Sequence, residues 1–374
     1  MTSTRMCEDP HVRASLATDG AGGQNEIEPV AEQRKKTFED KVSSPAVSVV
    51  LVMRNEEKYI ERCLLSILQN DFDMRNCEIL VADGMSEDRS RAIVESLALR
   101  FPEIRLLDNP ARIVPTGLNL GIRQARGKSI IILGAHAEYP RNYISTCIQE
   151  LERTGADVVG GRLRTNPGAD TDIARAISYV TTHRFGVGNA GFRLGWGDKY
   201  VDTVPYGAYR REVFDRVGLF NERLVRFQDF ELNARVRGTG GKIFLSSKIL
   251  VDYFNVPTLW KFIRQGFQKG IWIGRSWLLS PVSFKWRHAV PGLFVLALLT
   301  VGSSALVSNS LVWPFLAIVC TYVAFALFSA AEIALEKGLI FLFICPYLFL
   351  FYHLAHGLGA LGGVLTCSLR PKAA

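Results

Sequence analysis

The sequence predicts an α/β fold with a mainly parallel sheet and helices on both faces, followed by C-terminal helices that cross a membrane. Short apolar runs alternate with segments of helical periodicity, and these runs are residues 47–53, 78–82, 104–107 and 130–133. That alternation is typical of a doubly wound sheet. The chain is almost free of charge from residue 289 to residue 365, which indicates membrane spans.

The first half of the chain repeats a strand–helix unit. Val47–Met53 is an apolar run that predicts a buried strand, and apolar positions in residues 60–68 recur at helical spacing. A helix begins at residues 115–117 and leads to the strand Ile130–Leu133. Because parallel strands end at one edge of a sheet and ligands bind beyond that edge, we expect the chemistry there.

The rest of the soluble region is less regular. The predicted elements are a helix over residues 140–152, strands over 157–163 and 201–204, a glycine-rich mobile loop over 185–197, helices beginning near 211 and 228, and extended segments over 242–245 and 249–253. Residues 260–279 are basic and aromatic, which predicts a helix that lies in the membrane interface.

Three apolar stretches follow, over residues 289–307, 311–331 and 338–364. The first two have about the 20 residues that a span requires. The third contains a proline and two histidines, so it is either one tilted span or a broken, re-entrant segment. Bundled core helices of a soluble domain are the alternative, and the absence of charge on every face argues against them.

These patterns divide the chain into five regions. They are a disordered N-terminal tail (1–44), an α/β domain (45–256), an amphipathic interfacial helix and linker (257–287), a membrane region of two or three spans (288–366) and a tail (367–374). The N-terminal region lacks the apolar core of a signal peptide.

Charge and cysteine content exclude several classes of protein. The net charge is +8, and basic residues concentrate in residues 261–287, which suits a cytoplasmic membrane face. Basic residues interleaved with base-stacking aromatics are missing elsewhere, so we do not expect nucleic-acid binding. The seven cysteines form no Cys-x-x-Cys pair, which argues against a zinc site or a disulfide framework and fits a reducing cytoplasm.

Polar residues follow two of the predicted strands. Asp83-Gly84 ends a buried strand, where a carboxylate can bind the ribose or base of a nucleoside. The alternative is a turn or helix-capping role. Arg54-Asn55-Glu56 supplies a second polar cluster at the same edge, unless it is only a solvated helix start.

Two further pairs are candidates for catalysis. His136 and Glu138 share a face where the chain stays extended, so both could approach one divalent cation. The alternative is a polar strand end without metal. Asp229 and Glu231 begin a predicted helix, where acids are commonly stabilised by the dipole. If Asp229 faces the cleft, it could remove a proton from an acceptor hydroxyl.

Five segments taken together resemble the family 2 glycosyltransferases. In chain order they are Val47–Glu57, Cys63–Ile67, Glu78–Asp88, Gly117–Gly127 and Gln228–Leu232, within a region from about residue 47 to residue 256. Three further features indicate one group within this family. They are Gly134–Pro140, Tyr206–Glu222 and the apolar C-terminal stretches. They resemble membrane-bound exopolysaccharide glucosyltransferases of the succinoglycan type.

The resemblance implies a GT-A fold and an inverting transfer of a sugar, glucose from a UDP-sugar, to a hydroxyl of a lipid-linked saccharide. By match to the family motifs, Asp229 is the catalytic base and Glu231 flanks it. The residues matched to nucleotide-sugar binding are Arg54, Glu56, Asp83, Gly84 and Asn119. Gly134-Ala135-His136 corresponds to the Asp-x-Asp motif that holds Mn²⁺ or Mg²⁺, and His136 and Glu138 are the metal ligands expected here.

The sequence departs from the family pattern at three places. Met53 stands where proline is frequent, and Ile271 replaces the arginine of the Gln-x-x-Arg-Trp motif, which argues against a processive polymerase. Gly134 replaces the first aspartate of Asp-x-Asp, which removes a charge-assisted contact of roughly 1.5–3 kcal/mol. Either Glu138 compensates, or donor binding is weak, or activity is lost.

The sequence thus predicts a multi-pass enzyme of the inner membrane, with a cytoplasmic catalytic domain, that acts in exopolysaccharide biosynthesis. One alternative is a transferase that glycosylates polyprenyl phosphate itself. The other is a degenerate, non-catalytic membrane subunit that binds a nucleotide sugar, which Gly134 alone supports. Three spans would place Arg370 and Lys372 outside the cell, whereas a re-entrant third stretch keeps them inside.

Overall fold

A computed structural model describes residues 45–368 of the chain. The predicted N-terminal tail (1–44) and residues 369–374 of the predicted C-terminal tail lie outside the described residues. The described chain consists of an α/β domain followed by four long helices.

The α/β domain is built on a nine-stranded mixed sheet. Its strands are β1 (Val47–Met53), β2 (Cys77–Asp83), β3 (Ile104–Asp108), β4 (Ser129–Gly134), β5 (Ala137–Glu138), β6 (Val158–Asn166), β7 (Lys199–Tyr200), β8 (Ala208–Arg210) and β9 (Ile243–Phe254). The order is β3-β2-β1-β4-β8-β6-β9-β5, and β7 pairs with β9. The first four strands are parallel, and β8 is antiparallel to both β4 and β6. The predicted mixed, mainly parallel sheet is therefore confirmed.

Helices cover both faces of this sheet. They are α1 (Ile60–Leu68), α2 (Ser90–Arg100), α3 (Val114–Gln124), α4 (Tyr143–Thr154), α5 (Asp172–Val180), α6 (Arg184–Val187), α7 (Arg211–Val217) and α8 (Gln228–Gly238). Alternate residues of β1 serve the two faces: Val49 and Leu51 pack with α1, α2 and α4, whereas Val50 packs with α3, α7 and α8. This two-residue period explains why β1 is apolar throughout.

The strand order creates one switch point. From β1 the chain passes outward to β2 and β3, and then returns through α3 to β4 on the other side of β1. The loops after β1 and β4 therefore diverge, and a crevice opens between them at the carboxyl ends of the strands.

Three predictions for the less regular half need correction. The strand expected over residues 201–204 lies at Lys199–Tyr200 instead, and the predicted loop over 185–197 includes most of the short helix α6. The two extended segments after residue 242 form the single strand β9. The pairing of β9 with β6 shifts register between Gly161 and Arg162, which is a bulge in the strand. Gly161 allows this bulge, since a Cβ there would lie 2.3 Å from Ile249.

The C-terminal part consists of α9 (Leu259–Leu279), α10 (Trp286–Ala305), α11 (Val312–Lys337) and α12 (Ile340–Ser368). Within the described residues, three helices are long and apolar enough to span a membrane: residues 286–305, 309–337 and 340–367. The third apolar stretch is one continuous helix despite Pro346, so a break at this proline is ruled out.

The predicted interfacial helix α9 lies directly against α12. Gly270 and Gly274 of α9 approach the backbone of α12 so closely that an added Cβ would lie 2.1 Å from the carbonyl oxygens of His356 and Ala360. On α12, a Cβ on Gly363 would lie 2.2 Å from the Ile271 carbonyl oxygen. Small residues on both helices therefore allow backbone contact.

Candidate active site

A cleft of about 850 Å³ opens where the loops after β1 and β4 diverge. Arg54 and Glu56 line it after β1, and Gly134 and His136 line it after β4. Residues 225–230, at the beginning of α8, also line it. The cleft therefore lies at the switch point of the sheet, where ligands bind in open α/β folds.

Asp229 lies in the first turn of α8 and is exposed to the cleft. Its carboxylate has no hydrogen-bond or ion-pair partner among the described residues. The protein that surrounds the deep cleft disfavours the charged form and raises the pKa of Asp229 to about 6. An ionised but partnerless carboxylate with this pKa is suited to accept a proton near neutral pH.

The turn before Asp229 is strained. Phe227 has a φ of +69°, in the left-handed region that bulky side chains rarely adopt, and its ring stacks on Phe230 with centroids 4.7 Å apart. His288 packs edge-on against the Phe230 ring at 4.7 Å. These contacts hold the turn in place, and strain of this kind concentrates at functional sites.

His136 faces Glu56 across the switch point. The Nε2 atom of His136 lies 2.9 Å from the Glu56 carboxylate, and that hydrogen bond raises the pKa of His136 above its usual value. Both residues line the cleft. The structure therefore pairs one residue assigned to nucleotide-sugar binding with one assigned to metal binding.

Gly134 faces the aromatic ring of Tyr206. A Cβ at this position would lie 3.0 Å from Cε1 of Tyr206, which is tighter than ordinary van der Waals contact. The Tyr139 hydroxyl accepts from the Gly134 amide at 2.8 Å and donates to its carbonyl at 3.0 Å. Aromatic rings thus fill the space where the family pattern has a carboxylate.

Glu138 does not line the main cleft. It pairs with Arg62 at 3.4 Å, and with His136 it borders a separate pocket of about 200 Å³. Because Ala137–Glu138 is a strand antiparallel to β9, Glu138 is held at the far edge of the sheet. The expectation that Glu138 compensates for Gly134 in the cleft is therefore corrected: Glu56 is the carboxylate beside His136.

Asp83 is fully buried at the end of β2 and does not line the cleft. Its carboxylate accepts hydrogen bonds from the Ser86 hydroxyl at 2.6 Å and the Ser86 amide at 3.1 Å, and Arg91 lies 3.6 Å away. Gly84 does line the cleft, against the Arg54 side chain. Asp83 fixes the turn that carries Gly84, and its contact with a nucleoside stays a prediction.

Two further assigned residues, Asn119 and Glu231, also lie outside the cleft. Asn119 is buried on α3, where its amide donates to the Phe220 carbonyl at 2.9 Å and to Glu222 at 2.8 Å. Glu231 is buried too: Arg235 donates to it at 2.9 Å and Ser280 at 2.9 Å. Both side chains are hydrogen-bonded within the protein, and the binding role of Asn119 and the catalytic role of Glu231 stay predictions.

Comparisons with known proteins match the sequence to one family and to several named proteins. The sequence model of glycosyl transferase family 2 matches residues 48–218. A glucuronosyltransferase from Methanococcus voltae, named as acting on dolichyl N-acetylglucosaminyl phosphate, is 29% identical over 62% of this chain and 75% of its own length. The succinoglycan biosynthesis protein ExoA of Rhizobium meliloti is 28% identical over 61% of this chain and 70% of its own length.

This chain carries a family 2 glycosyltransferase domain.

A solved structure supports the fold of the glycosyltransferase. The mannosyltransferase PcManGT from Pyrobaculum calidifontis, in complex with GDP-Man and Mn²⁺, matches it with a TM-score of 0.57 and 18% identity. The match covers 88% of this chain and 93% of that protein. The predicted GT-A fold is therefore confirmed.

The structure adds basic residues to the cleft that sequence reasoning did not assign to it. They are Arg112, Arg193, Arg226, Lys269 and Arg287, together with His288. The sequence predicts a membrane face for the cluster in residues 261–287, and residue spacing alone does not show which way its side chains point. Only the docking of α9 and α10 beside the cleft shows that Lys269 and Arg287 point into the glycosyltransferase site.

Proposed function

We propose that this glycosyltransferase moves a sugar from a nucleotide sugar to a hydroxyl of a lipid-linked saccharide, with inversion at the anomeric carbon. The observation that carries the proposal is Asp229, a partnerless cleft carboxylate with a pKa raised to about 6. It lines the same cleft as the Glu56–His136 pair.

The reaction requires one base and no covalent enzyme intermediate. Asp229 accepts the proton of the acceptor hydroxyl while that oxygen attacks the anomeric carbon from the face opposite the leaving group. The bond between the anomeric carbon and the diphosphate oxygen breaks, and the nucleoside diphosphate leaves with the electron pair. A single in-line displacement of this kind inverts the configuration.

The β1–β2 edge is the proposed nucleoside end of the cleft. Arg54 and Gly84 line it. The glycine leaves room for the Arg54 side chain, because a Cβ on Gly84 would lie 3.2 Å from that side chain. Asp83 orients the turn from beneath through Ser86. We take the donor to be a UDP-sugar, with glucose as the transferred sugar, on the strength of the likeness to succinoglycan-type enzymes.

Glu56 and His136 fit a divalent cation, Mn²⁺ or Mg²⁺. A carboxylate oxygen and an imidazole nitrogen 2.9 Å apart form two ligands, and phosphate oxygens commonly complete such sites. The described residues hold no cluster of three or more candidate ligands, so this cation would depend on the donor for its other ligands. When bound, it would neutralise charge that develops on the leaving diphosphate.

The metal proposal predicts that His136→Ala weakens activation by Mn²⁺ or Mg²⁺. The concentration of cation that gives half-maximal activity should rise about tenfold or more, because one of two protein ligands is lost. Titrating each cation into chelator-treated enzyme measures this value. Full activity in excess chelator would contradict the proposal.

The acceptor is proposed from the membrane helices and from the relatives. Three described helices could span a membrane beside the catalytic domain, and the M. voltae relative is named as acting on a dolichyl-phosphate-linked sugar. We therefore propose an enzyme of the inner membrane, with the domain on the cytoplasmic side, that extends a lipid-linked saccharide in exopolysaccharide assembly.

Two alternative functions predict different results in an activity assay. A transferase that glycosylates polyprenyl phosphate itself would use the lipid phosphate as acceptor, and assays with lipid phosphate against lipid-linked sugar separate the two. A non-catalytic subunit would bind a nucleotide sugar without turnover. Gly134→Asp would then restore activity only if Tyr206 moves, because the new Cβ lies 3.0 Å from its ring.

The deciding experiment is a screen of nucleotide sugars for release of free nucleotide, with membrane lipid extract as acceptor. Turnover that requires extract and disappears in Asp229→Asn supports the proposal. Nucleotide-sugar binding without any turnover in the native chain would overturn it and favour the non-catalytic subunit.

A further inference from the structure

A second large cavity lies between the catalytic domain and the membrane helices. It has a volume of about 1220 Å³ and is bounded by residues 181–188 and by side chains of α10, α11 and α12; we call it the membrane-side chamber. Its apolar wall includes Phe294 of α10 and Phe325 and Phe328 of α11. Phe325 and Phe328 are exposed, and both helices could span a membrane, so a lipid tail could reach this wall.

The chamber and the catalytic cleft meet at basic residues. Arg193, Lys269, Arg287 and His288 line both cavities. Arg287 is already paired, because Asp202 lies 2.5 Å from its guanidinium. Arg193 and Lys269 are left as the cations at the junction that can accept an anion.

Among the described residues, no carboxylate forms an ion pair with Lys269, Arg193 or Arg226, all of which line the cleft. The Arg193 guanidinium lies instead over the Tyr253 ring, 5.0 Å from its centroid. Burial, together with the charges of Arg193 and Arg226, lowers the pKa of Lys269 to about 7. The charged form of Lys269 is therefore costly beside these two arginines unless an anion joins them.

The acidic residues of the chamber do not offset this charge. Glu332 pairs with His183 at 3.2 Å, and Glu336 lies 3.7 Å from Lys337. Both acids are in the last turns of α11, and each is paired with one of these two side chains. The chamber thus has an apolar wall along the helices and a cationic end at the cleft.

We infer that Lys269, Arg193 and Arg226 bind the diphosphate of a polyprenyl-diphosphate-linked acceptor whose tail occupies the membrane-side chamber. This inference rests on the proposed function and names the substrate class of its acceptor. An anionic head joined to an apolar tail matches the charge and the polarity of the two ends. A junction position places the head between the lipid tail and Asp229, so the attached sugar enters the cleft.

The test is binding by the purified full-length enzyme, because it needs no turnover. The probes are geranylgeranyl diphosphate, geranylgeraniol, which lacks the diphosphate, and UDP. The native chain should bind the diphosphate at least tenfold more tightly than the alcohol, since charge-assisted contacts have that size. Lys269→Met, which keeps the apolar stem, and Arg193→Met should each abolish this preference.

Two variants serve as matched controls. Lys269→Arg keeps the charge and should retain the preference for the diphosphate. Lys261→Met removes an exposed lysine of the same helix that lines neither cavity, and it should bind every probe as the native chain does. An equal loss in Lys261→Met would overturn the site, because any reduction of positive charge would then suffice.

Three other results would overturn the inference. The first is an unchanged preference for geranylgeranyl diphosphate in Lys269→Met. The second is an equal loss of UDP affinity, which would assign the cations to the donor. The third is displacement of the probe by short-chain phosphatidylglycerol at the same concentration, which would indicate an ordinary lipid site. A chain that binds the probe through Lys269 but never releases nucleotide would refute the proposed function and leave this site standing.

Discussion

At the residue scale, the three acids near the cleft have different roles because their partners differ. Asp229 faces the cleft without a partner, Glu56 is bonded to His136, and Glu231 is buried against Arg235 and Ser280. Glu231 and Asp229 are only two residues apart on α8, so they point in different directions around the helix. Their proximity in the sequence predicts a catalytic pair, but the helix turns the two side chains in different directions.

Asp229→Asn is expected to reduce transfer by about 10²- to 10⁴-fold, the usual contribution of a general base. Donor affinity should stay unchanged, because the amide keeps the shape of the side chain. Turnover and nucleotide-sugar binding, measured on the same preparation, check both parts. Turnover within threefold of the native rate would remove Asp229 from the mechanism.

The pH dependence of the reaction follows from the raised pKa of Asp229. The base is ionised above about pH 6, so kcat/KM should fall roughly tenfold per pH unit below that value and level off above it. Stability has the opposite sign: because the folded-state pKa lies above the ordinary 3.8, the charge on Asp229 destabilises the fold increasingly as the pH rises from 3.8 to about 6, and fully above that value. Asp229→Asn should therefore raise the Tm at pH 8 and leave it unchanged at pH 3.

Glu231→Gln should lower stability and preserve catalysis. The change leaves Arg235 without a buried countercharge, and breaking such pairs costs about 3–5 kcal/mol when a partner is removed outright. Thermal unfolding in detergent and turnover at a temperature below both transitions measure the two effects. A folded variant with no turnover would return Glu231 to the active site.

At the element scale, α9 and α12 are held together by backbone contact. The contact pairs advance together along both helices: Gly266 with Tyr352, Gly270 with His356 and Gly274 with Ala360. The helices therefore run side by side in the same direction. Because Lys269 lies in this segment of α9, the glycines also set the position of the proposed phosphate site.

Gly270→Ala is expected to destabilise the α9–α12 pair by about 1–3 kcal/mol, the usual cost of overpacking. The new Cβ would lie 2.1 Å from the His356 carbonyl oxygen, so the helices must separate. Gly362→Ala on α12 is the matched control, since no atom lies within 4 Å of its Cβ position. A lower Tm for Gly362→Ala than for Gly270→Ala would contradict this account of the packing.

At the scale of the whole molecule, α12 lies along the catalytic domain. Helix α9 is fixed to that domain at both ends, through Phe262 in the cluster with α5 and through the hydrogen bond from Ser280 to Glu231. Since α12 runs beside α9 and its Phe341 packs edge-on against Tyr179 of α5, it follows the domain surface over most of its length. Helices α10 and α11 form an antiparallel hairpin, in which Phe294 stacks on Tyr322 at 4.6 Å.

This arrangement predicts that only the α10–α11 hairpin crosses the bilayer and that α12 lies at its surface. A protease-cleavable tag after Ala374 should be cut from the same side of sealed vesicles as a tag before Met1. The same tag inserted after Ser308, in the hairpin loop, should be cut only from the other side. Cleavage of the C-terminal tag from the side of Ser308 would instead establish three spans.

The sequence by itself predicts the sheet, the long apolar helices and the family 2 glycosyltransferase domain, because each depends on patterns that are local in the chain. The period of two in Val47–Met53 and the ordered motifs up to Gln228–Leu232 are of this kind. Only the tertiary structure decided which polar side chains meet. Asn119 and Glu231 are buried and hydrogen-bonded to other residues of the chain. Glu56, and not Glu138, is hydrogen-bonded to His136, and Lys269 lines the cleft. The direction of a side chain depends on how distant elements dock, and residue spacing does not encode that docking.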